Sequence, residues 1–555
     1  MKKLIYLISL LALWNLNAKA QNTASPTFGE VFFSDPTLAQ AFSETFRYTG
    51  LIQTLDSGWE YLGKDSLPGI HRDIPDFDSF LAINLPHRLT FPNHSLWYRT
   101  ETDLQEGILW VDADDGAQVW IDGKRVPRST DGEYFPISQN GRQKILIRVV
   151  NNAMAGGLRR VTWARKRDFD HWKSGAQTRR DSLLLFSKNQ LVKNEELKKS
   201  IQKKGLEILD QYPILFTAPV MILGDRGSYF IRWVSEKSGE ARLLMTNGEE
   251  KVLSSENGIF TLETDQKSLE FDLFQQEAYQ GRFSFSLPEQ KEKVRLAVWG
   301  DSQGGWNTFD HISKQISDLS PDFSLGAGDL VNNGSEEMSY VRFLHAVSLM
   351  KTVQIPVPGN HDYDGYYEDL NPKQMKDHLF INEKATFGLN FLGPAALLTL
   401  DPNEFFPVSI PEGSSQRDFL ESTLKSEEWR NRPWKIIALH QPPFSQGWPG
   451  YQGEQSIREL LEPYFHQGLI DVVIAGHTHD YERLTTAFSG YPVTFLIVGG
   501  AGGGLEPQGR ISPKPEMDLL IKKHHFGILE MGNQSFEWEV FGLEGEILDH
   551  FRIQK

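Results

Sequence analysis

The sequence contains no cysteine among its 555 residues. Disulfide bonds, thiolate nucleophiles and thiolate metal ligands are therefore excluded. A metal site in this chain must use histidine, asparagine, glutamine and carboxylate side chains, a donor set that suits zinc, manganese or iron. An exported chain of this size without disulfides must be stabilised by core packing or by metals. Export without cysteine favours a bacterial periplasm or cell surface over a eukaryotic secretory route.

Positive charge is also scarce in the sequence. Lysine and arginine number 57 against 73 aspartate and glutamate residues, so the formal net charge is −16. This balance argues against nucleic acid as a general partner, because a phosphate polyanion would be repelled. A phosphate substrate would require strong local positive charge.

Long apolar runs are confined to the beginning of the sequence. Lys2 and Lys3 precede the run LIYLISLLALW, and a small-x-small triplet, Ala18-Lys19-Ala20, follows. This pattern predicts a secretory signal peptide over residues 1–20. The run is too short to span a bilayer well, and no later run reaches spanning length. We therefore expect a soluble exported protein, in the periplasm, at the cell surface or secreted, with no membrane span.

Residues 21–165 have the pattern of an all-β domain. Short apolar or alternating segments such as AQVWIDGKRV and QKILIRVVN are separated by Asp-Gly and Asn-Gly turns. The segment DDGAQVWIDGKRV and its flanks resemble the galactose-binding-like jelly-roll domain of β-galactosidases. The resemblance implies a glycan as a possible partner of this domain. Four tryptophans could stack on sugars, although core positions are the better interpretation for most of them: Trp59, Trp97, Trp110 and Trp120.

Three further segments complete the predicted domain order. Residues 166–210 are rich in charge, with leucine and isoleucine at near-helical spacing, which predicts a helical linker. Strand signals return over 211–292 and predict a small sandwich of the fibronectin or immunoglobulin type. Residues 293–555 form the predicted catalytic domain.

Five apolar runs in the last segment each stop at a polar cluster. This is the pattern of an open α/β sheet that builds a site at the carboxyl ends of its strands. The runs are RLAVWGDSQ, DFSLGAGDL, TVQIPVPGNHD, WKIIALHQPP and DVVIAGHTHD. The polar residues that end them are Asp301, Asp329, Asn360 with His361, His440, and His477 with His479.

Together, these blocks resemble the calcineurin-like metallophosphoesterases, and within them the purple acid phosphatase-like proteins. GHTHDYER is close to the G-H-x-H-x-Y-E-R run of that group, and FLIVGGAGGGLEP and HHFGILEM resemble its closing segments. The resemblance implies a multidomain chain, in which a four-layer α-β-β-α metallophosphoesterase domain follows two all-β sandwiches.

The resemblance also implies a role for each polar residue. Asp301 and His479 would hold a first metal ion, and Asp329 would bridge two ions. Asn360, His440 and His477 would hold the second ion. His361 would be catalytic: it would bind no metal, but would stabilise the transition state or protonate the leaving oxygen. The cofactors implied are two divalent ions, of manganese, zinc or iron.

The sequence departs from the family pattern at two positions. Gln303 stands where many metallophosphoesterases carry histidine, and we expect its amide oxygen to be a further metal ligand; the alternative is a turn residue beside a weaker first site. Asn332 stands where purple acid phosphatases carry tyrosine, so we expect neither purple colour nor a strong preference for ferric iron.

These observations predict an exported, dinuclear, metal-dependent phosphoesterase. It would hydrolyse phosphate monoesters or diesters by attack of a metal-activated hydroxide. One alternative is a glycan-binding surface protein with a vestigial phosphatase domain. Another is a nucleotide-type pyrophosphatase or phosphodiesterase, because some manganese-dependent relatives carry glutamine at the position of Gln303.

Overall fold

The structure is a computed structural model. It describes residues 32–45, 47–66, 74–129, 132–152, 155–266, 268–276, 278–288, 292–365, 370–381 and 385–555. The predicted signal peptide, residues 1–20, lies outside the described residues. Among the helices that are described, none has the length and apolar character needed to cross a membrane.

The chain forms two compact units. One comprises the described parts of residues 1–46, 177–219 and 231–287, and the other comprises those of 47–176, 220–230 and 288–555. The α helices of the described residues are α1 (Pro36–Glu44), α2 (Lys166–Leu191), α3 (Glu195–Lys204), α4 (Trp306–Leu319), α5 (Glu337–Ser348), α6 (Lys373–Leu379), α7 (Ser415–Lys425), α8 (Glu427–Arg430) and α9 (Gln455–Phe465).

The N-terminal region is all β. Its strands are β1 (Gln53–Thr54), β2 (Trp59–Asp65), β3 (Leu81–Ile83), β4 (His87–Thr90), β5 (His94–Leu104), β6 (Gly107–Ala113), β7 (Ala117–Ile121), β8 (Lys124–Val126), β9 (Phe135–Ile137), β10 (Gly141–Asn151) and β11 (Ala155–Arg165). One sheet has the order β1-β11-β6-β9, with β4 also paired to β11, and the other has the order β3-β2-β5-β10-β7-β8.

The tryptophans of this region belong mainly to its core. Trp59, Trp97 and Trp120 are each at most 1% exposed, which confirms the prediction of core positions for most of the four. Trp59 packs with Tyr98 and residues of both sheets, whereas Trp97 and Trp120 pack against each other. Burying such large rings explains how a domain without disulfides is stabilised. It also removes three candidate sugar-stacking rings from the surface.

The described part of residues 166–288 contains the two helices α2 and α3, two 3-10 helices (Leu206–Gln211 and Asp225–Gly227) and seven strands. The strands are β12 (Val220–Leu223), β13 (Tyr229–Val234), β14 (Gly239–Met245), β15 (Glu250–Ser255), β16 (Ile259–Thr264), β17 (Ser268–Gln275) and β18 (Ala278–Ser286). Strands β15-β14-β17-β18 form an antiparallel sheet in that order. The domain boundaries proposed from the sequence stay predictions.

The C-terminal region contains strands of two sheets. Its strands are β19 (Lys293–Trp299), β20 (Phe323–Ala327), β21 (Val353–Val357), β22 (Gly388–Leu392), β23 (Ala395–Thr399), β24 (Trp434–Ala438), β25 (Val472–Ala475), β26 (Tyr481–Phe488), β27 (Tyr491–Val498), β28 (Leu519–Ile521), β29 (His525–Gly532), β30 (Ser535–Gly542) and β31 (Ile547–Gln554). Strands β12-β21-β20-β19-β29-β30-β31 lie side by side in one sheet, and β22-β23-β24-β25-β27-β26-β28 form the other.

The centre of each sheet is parallel. Strands β19, β20 and β21 pair in parallel, as do β23, β24, β25 and β27. Every residue of β20, β21 and β25 is buried. Parallel strands that are covered on both faces consist almost entirely of apolar residues, so they are visible as continuous apolar runs in the sequence. Leucines and a tryptophan of α7, α8 and α9 pack in one core cluster with β24 and β25.

The C-terminal region thus has two sheets with parallel centres, and an all-β region precedes it. The carboxyl ends of β19, β20 and β21 meet at one edge of their sheet, and those of β24 and β25 meet at one edge of the other. The exact layering, predicted as α-β-β-α, stays a prediction.

Candidate active site

Five loops that follow parallel strands carry the polar residues singled out in the sequence. In each loop the first of these residues lies two or three positions after the strand ends, at the carboxyl ends of β19, β20, β21, β24 and β25. The structure brings side chains from all five loops into one cluster.

Asp329 lies at the centre of the cluster and is 1% exposed. Its Oδ1 accepts a hydrogen bond from the backbone N–H of His361 at 2.8 Å. Its Oδ2 lies 2.7 Å from Nε2 of Gln303 and 3.2 Å from Nε2 of His440. One carboxylate therefore contacts three of the loops, with its two oxygens directed to different partners.

Two fully buried imidazoles extend the cluster beyond Asp329. Nδ1 of His477 lies 3.2 Å from Nε2 of His440. One ligand atom from each of Asp329, His440 and His477 lies within 4.8 Å of the other two. Ligands about 2.1 Å from a tetrahedral ion lie about 3.4 Å from one another, so this spacing fits a shared cation.

Asp301 and His479 form the other side of the cluster. Asp301 is fully buried, and its two carboxylate oxygens accept from the backbone N–H of His477 at 3.1 and 2.9 Å. Nε2 of His479 lies 3.6 Å from Oδ1 of Asp301. Trp448 packs edge-on against the rings of His477 and His479, with centroids 5.0 and 6.4 Å away.

Several of these residues have a left-handed backbone. The φ angles of Asp301, Gln303, Asp329 and His477 are 60°, 36°, 50° and 78°. Each such conformation costs a non-glycine residue on the order of 1–3 kcal/mol, and it persists only where the surrounding structure enforces it. Gly328 shows how tight that packing is, since a Cβ atom there would overlap the ring of His440. Strained backbone concentrated at one cluster is typical of a functional site.

The histidine tautomers are set by backbone carbonyls. Nδ1 of His440 lies 2.8 Å from the carbonyl oxygen of Ala327, and Nδ1 of His479 lies 2.6 Å from that of Gly504. A carbonyl only accepts, so in each ring Nδ1 carries the proton. The lone pair of a neutral ring then belongs to Nε2, the atom that faces a carboxylate of the cluster. Metal-binding histidines are oriented in this way.

Burial and charge act on the cluster in opposite directions. Burial raises the pKa of Asp301 well above its usual range. Burial acts likewise on Asp329, but the neighbouring His440 and His361 outweigh it and hold the pKa of Asp329 below its usual range. Burial would lower the pKa of His440, yet Asp329 and Asp301 raise it to about 9. The two buried carboxylates therefore stabilise positive charge on groups beside them, as the raised pKa of His440 shows.

His361 occupies the open side of the cluster, where 24% of its side chain is exposed. Its Nδ1 lies 2.8 Å from Oδ2 of Asp364 and 3.1 Å from the carbonyl oxygen of Asn332. Both partners accept, so Nδ1 carries a proton and Nε2 is left for a ligand. Burial would lower the pKa of His361, but Asp364 and then Asp329 raise it well above its usual range. These two carboxylates therefore favour the protonated form of the imidazole.

The orientation of Gln303 differs from the sequence-based expectation in one respect. Its amide nitrogen, rather than its carbonyl oxygen, lies nearest Asp329, at 2.7 Å from Oδ2. The oxygen would face the cluster after rotation of the amide group by half a turn. The role of Gln303 as a ligand therefore stays a prediction.

Three acidic residues near the cluster were not found by sequence reasoning. Asp362 is fully buried and accepts from the N–H groups of Gly359 and Leu330 and from the hydroxyl of Tyr340, at 2.9, 3.2 and 2.9 Å. It thereby ties together the loops after β20 and β21. Asp364 orients His361. The His-Asp-x-Asp spacing was the available signal for both.

The third acidic residue, Asp115, comes from the N-terminal β region. Its Oδ1 accepts a hydrogen bond from Nδ2 of Asn360 at 3.2 Å. No feature of the turn DADDG distinguishes this aspartate from an ordinary turn residue in the sequence.

The residues present fit divalent cations. Asp301 and Asp329 are both buried, and buried carboxylates are costly unless they are paired. Imidazole nitrogens lie 3.2–3.6 Å from both. Nitrogen and carboxylate donors without sulfur are ligands that zinc, manganese and iron accept.

Comparison with known proteins identifies the family of this region. The family model described as calcineurin-like phosphoesterase matches residues 294–481, the span that holds every residue of the cluster described above from Asp301 to His479. Residues 294–481 are a calcineurin-like phosphoesterase domain. Calcineurin-like phosphoesterases use divalent metal ions, in agreement with the donor set.

Parts of this chain are also similar to curated proteins and to a solved structure. Purple acid phosphatase 21 of Arabidopsis thaliana is 25% identical over 264 residues, which cover 44% of this chain and 58% of the relative. Probable inactive purple acid phosphatase 24 of the same plant is 23% identical over 325 residues, covering 49% and 51%. The chain thus spans little more than half the length of these relatives. A purple acid phosphatase structure from yellow lupin matches with a TM-score of 0.48 at 16% identity, covering 62% of this chain and 74% of that one.

Proposed function

We propose that the chain is a dinuclear metal-dependent phosphoesterase. The observation that carries the proposal is the convergence of carboxylate and imidazole ligand atoms, 3.2–3.6 Å apart, on two buried aspartates. Asp301 and His479, with Gln303, would hold one cation, and Asp329 would bridge to the other. Asn360, His440 and His477 would hold the second cation.

The bound cations would supply the positive charge that a phosphate ester requires. When bound, they would neutralise the oxygens of a phosphate ester and lower the pKa of a bound water to near 7. A chain of net charge −16 would repel a phosphate anion overall. Two divalent ions carry more positive charge than Asp301 and Asp329 carry negative charge, so the site itself would be locally positive.

His361 would act on the substrate directly. Its Nδ1 is held by Asp364, so its Nε2 can donate to a phosphate oxygen or deliver a proton to the leaving oxygen. Its contact with Asp329 uses only the backbone N–H. The ring is therefore free to serve the reaction without being a ligand.

The first test is removal and return of metal. Dialysis against a chelator should abolish hydrolysis of p-nitrophenyl phosphate, because the buried carboxylates cannot polarise the ester themselves. Added Mn²⁺ or Zn²⁺ should restore it. Full activity of protein shown by elemental analysis to be metal-free would refute the proposal.

Gln303 offers a second test. Gln303→Ala removes both the contact to Asp329 and the candidate ligand oxygen, so we expect the first cation to bind about 10–100-fold more weakly, as judged by competition with a chelating dye. Gln303→Glu retains an oxygen donor and should keep the cation. Unchanged affinity in Gln303→Ala would make Gln303 a turn residue.

A comparison of turnover rates on three substrates would determine the substrate class. Turnover of p-nitrophenyl phosphate, bis(p-nitrophenyl) phosphate and ADP-ribose on one preparation separates a monoesterase, a diesterase and a nucleotide pyrophosphatase. The glycan-binding alternative predicts sugar binding with no turnover of any of the three. The complete donor set favours an active enzyme over that alternative.

Export is proposed from the pattern of residues 1–20 alone. Mass spectrometry of the protein recovered from the medium or periplasm should give a mature N-terminus at Gln21. Recovery only from the cytoplasm with Met1 intact would contradict export.

A further inference from the structure

The N-terminal β region reaches the phosphoesterase site through one buried turn. This turn, residues 114–116, joins β6 to β7. Asp115 within it is 7% exposed. Its Oδ1 accepts from Nδ2 of Asn360, a residue 245 positions later in the sequence, at 3.2 Å. A side chain of one domain thus contacts a predicted ligand held by another.

The Asp115 carboxylate is held in place by hydrogen bonds within the N-terminal β region. Its Oδ2 accepts from the backbone N–H of Asn152 at 2.6 Å. The backbone of the turn is tied to β10, because the N–H of Asp115 bonds to the carbonyl of Val150 at 3.3 Å and the N–H of Val150 bonds to the carbonyl of Gly116 at 2.9 Å. Rotation of the carboxylate would break the bond to Asn152.

A fixed carboxylate determines which way the Asn360 amide faces. The oxygen and nitrogen of an asparagine amide have nearly the same shape, so neighbours decide the orientation. In its ionised form a carboxylate only accepts, and it therefore holds Nδ2 toward itself. The carbonyl oxygen then points the other way, toward Nε2 of Gln441 at 3.4 Å. That oxygen is the only side-chain atom of Asn360 that can bind a cation.

We propose that Asp115 is a positioning residue of the phosphoesterase site, holding Asn360 in the orientation that ligates the second cation. The inference rests on the proposed function. It makes the N-terminal β region a structural part of the active centre rather than a separate binding module.

Hydrogen bonds of Asn93 and Arg128 also join the N-terminal region to the phosphoesterase domain. Nδ2 of Asn93 donates to Oε2 of Glu454 at 2.7 Å, and Oδ1 of Asn93 accepts from the N–H of Val408 at 3.1 Å. Arg128 donates to the hydroxyl of Ser335 at 3.1 Å.

Between these contacts, a cavity of about 30 Å³ is bordered by Asp115, Asn152 and Asn360, among others. A cavity of that size has room for about one or two ordered water molecules.

The test compares Asp115→Ala with Asn93→Gly in the full chain. Both remove a contact to the phosphoesterase domain, but only the first touches a predicted ligand. Glycine suits position 93 because φ there is 55°. Stepwise Mn²⁺ affinities are measured by competition with a chelating dye, with thermal unfolding as a check on folding. We expect Asp115→Ala to weaken one of two Mn²⁺ ions about 10–100-fold, and Asn93→Gly to leave both affinities unchanged.

Asp115→Asn keeps the shape but has only one accepting oxygen, so it cannot accept from both Asn152 and Asn360, and we expect it to weaken the same Mn²⁺ ion. It decides the question if the alanine variant does not fold. Wild-type Mn²⁺ affinity in a folded Asp115 variant would overturn the positioning role, even if its unfolding temperature falls. A wild-type protein that binds Mn²⁺ but hydrolyses no phosphoester would instead refute the proposed function, while the titrations would still test Asp115.

Discussion

Replacing Asp329 by asparagine is expected to remove at least one cation and lower kcat by about 10³-fold or more. Asp329 is the single carboxylate that contacts three loops of the cluster, and an amide cannot offer a charged oxygen to each of two ions. Metal ions stabilise the charge of a phosphoryl transition state by several kcal/mol. Losing about 4 kcal/mol of that stabilisation lowers kcat by about 10³-fold. Elemental analysis and p-nitrophenyl phosphate kinetics on one sample give both quantities.

A matched control uses an aspartate outside the cluster. Asp318 is an exposed residue of α4 in the same domain, and Asp318→Asn should change neither metal content nor kcat. If Asp329→Asn retained two ions and wild-type turnover, Asp329 would have no bridging role and the assignment of ligands would fail.

Replacing His361 by alanine should give a different signature, in which kcat falls about 10²–10⁴-fold while metal content stays unchanged. The ring is partly exposed and bonds to Asp364, whereas only the backbone N–H of His361 contacts Asp329. Alanine preserves that N–H and removes the imidazole. Kinetics on p-nitrophenyl phosphate with elemental analysis separates loss of catalysis from loss of metal.

Alanine also leaves the buried Asp364 carboxylate without its imidazole partner, so a second variant is needed. His361→Gln can still donate to Asp364 but cannot carry positive charge, and it should lose kcat to a similar extent. His550→Gln, at an exposed histidine of the same region, is the control. Loss of metal from a folded His361→Gln would show that His361 is a ligand and that its assigned role is wrong.

The position of the cluster could be predicted because it follows from sheet geometry. Asp301, Asp329 and Asn360 each follow a buried parallel strand, and the carboxyl ends of such strands meet at one edge. His440 and His477 follow strands of the second sheet in the same manner. Apolar runs and the polar residues after them are visible in the sequence, so their convergence needs no knowledge of side-chain packing.

Contacts between distant segments could not be predicted in this way. Asp115 reaches Asn360 only because the N-terminal region sits against the phosphoesterase domain, through contacts such as Asn93 with Glu454. No periodicity or turn signal encodes a contact between segments so far apart in the sequence. The family resemblance did not reveal it either, because the comparison covers residues 294–481 and not the β region.

The orientation of individual side-chain groups could not be predicted from the sequence either. The sequence places Gln303 beside the cluster, but whether its oxygen or nitrogen faces Asp329 depends on the charge present between them. Asp364 lies three residues after His361, a spacing that predicts proximity but not the hydrogen bond to Nδ1. Such details are fixed by the surrounding groups rather than by local pattern.

The central claim is that two cations lie beside Asp329, one toward His479 and one toward His440 and His477. Crystals grown with Mn²⁺, with diffraction recorded near the manganese absorption edge, test it directly. The account predicts two anomalous peaks in this cluster, with the Asp329 carboxylate between them. A map without anomalous density there, in which His440 and His477 only bond to each other and to the carboxylates, would contradict it.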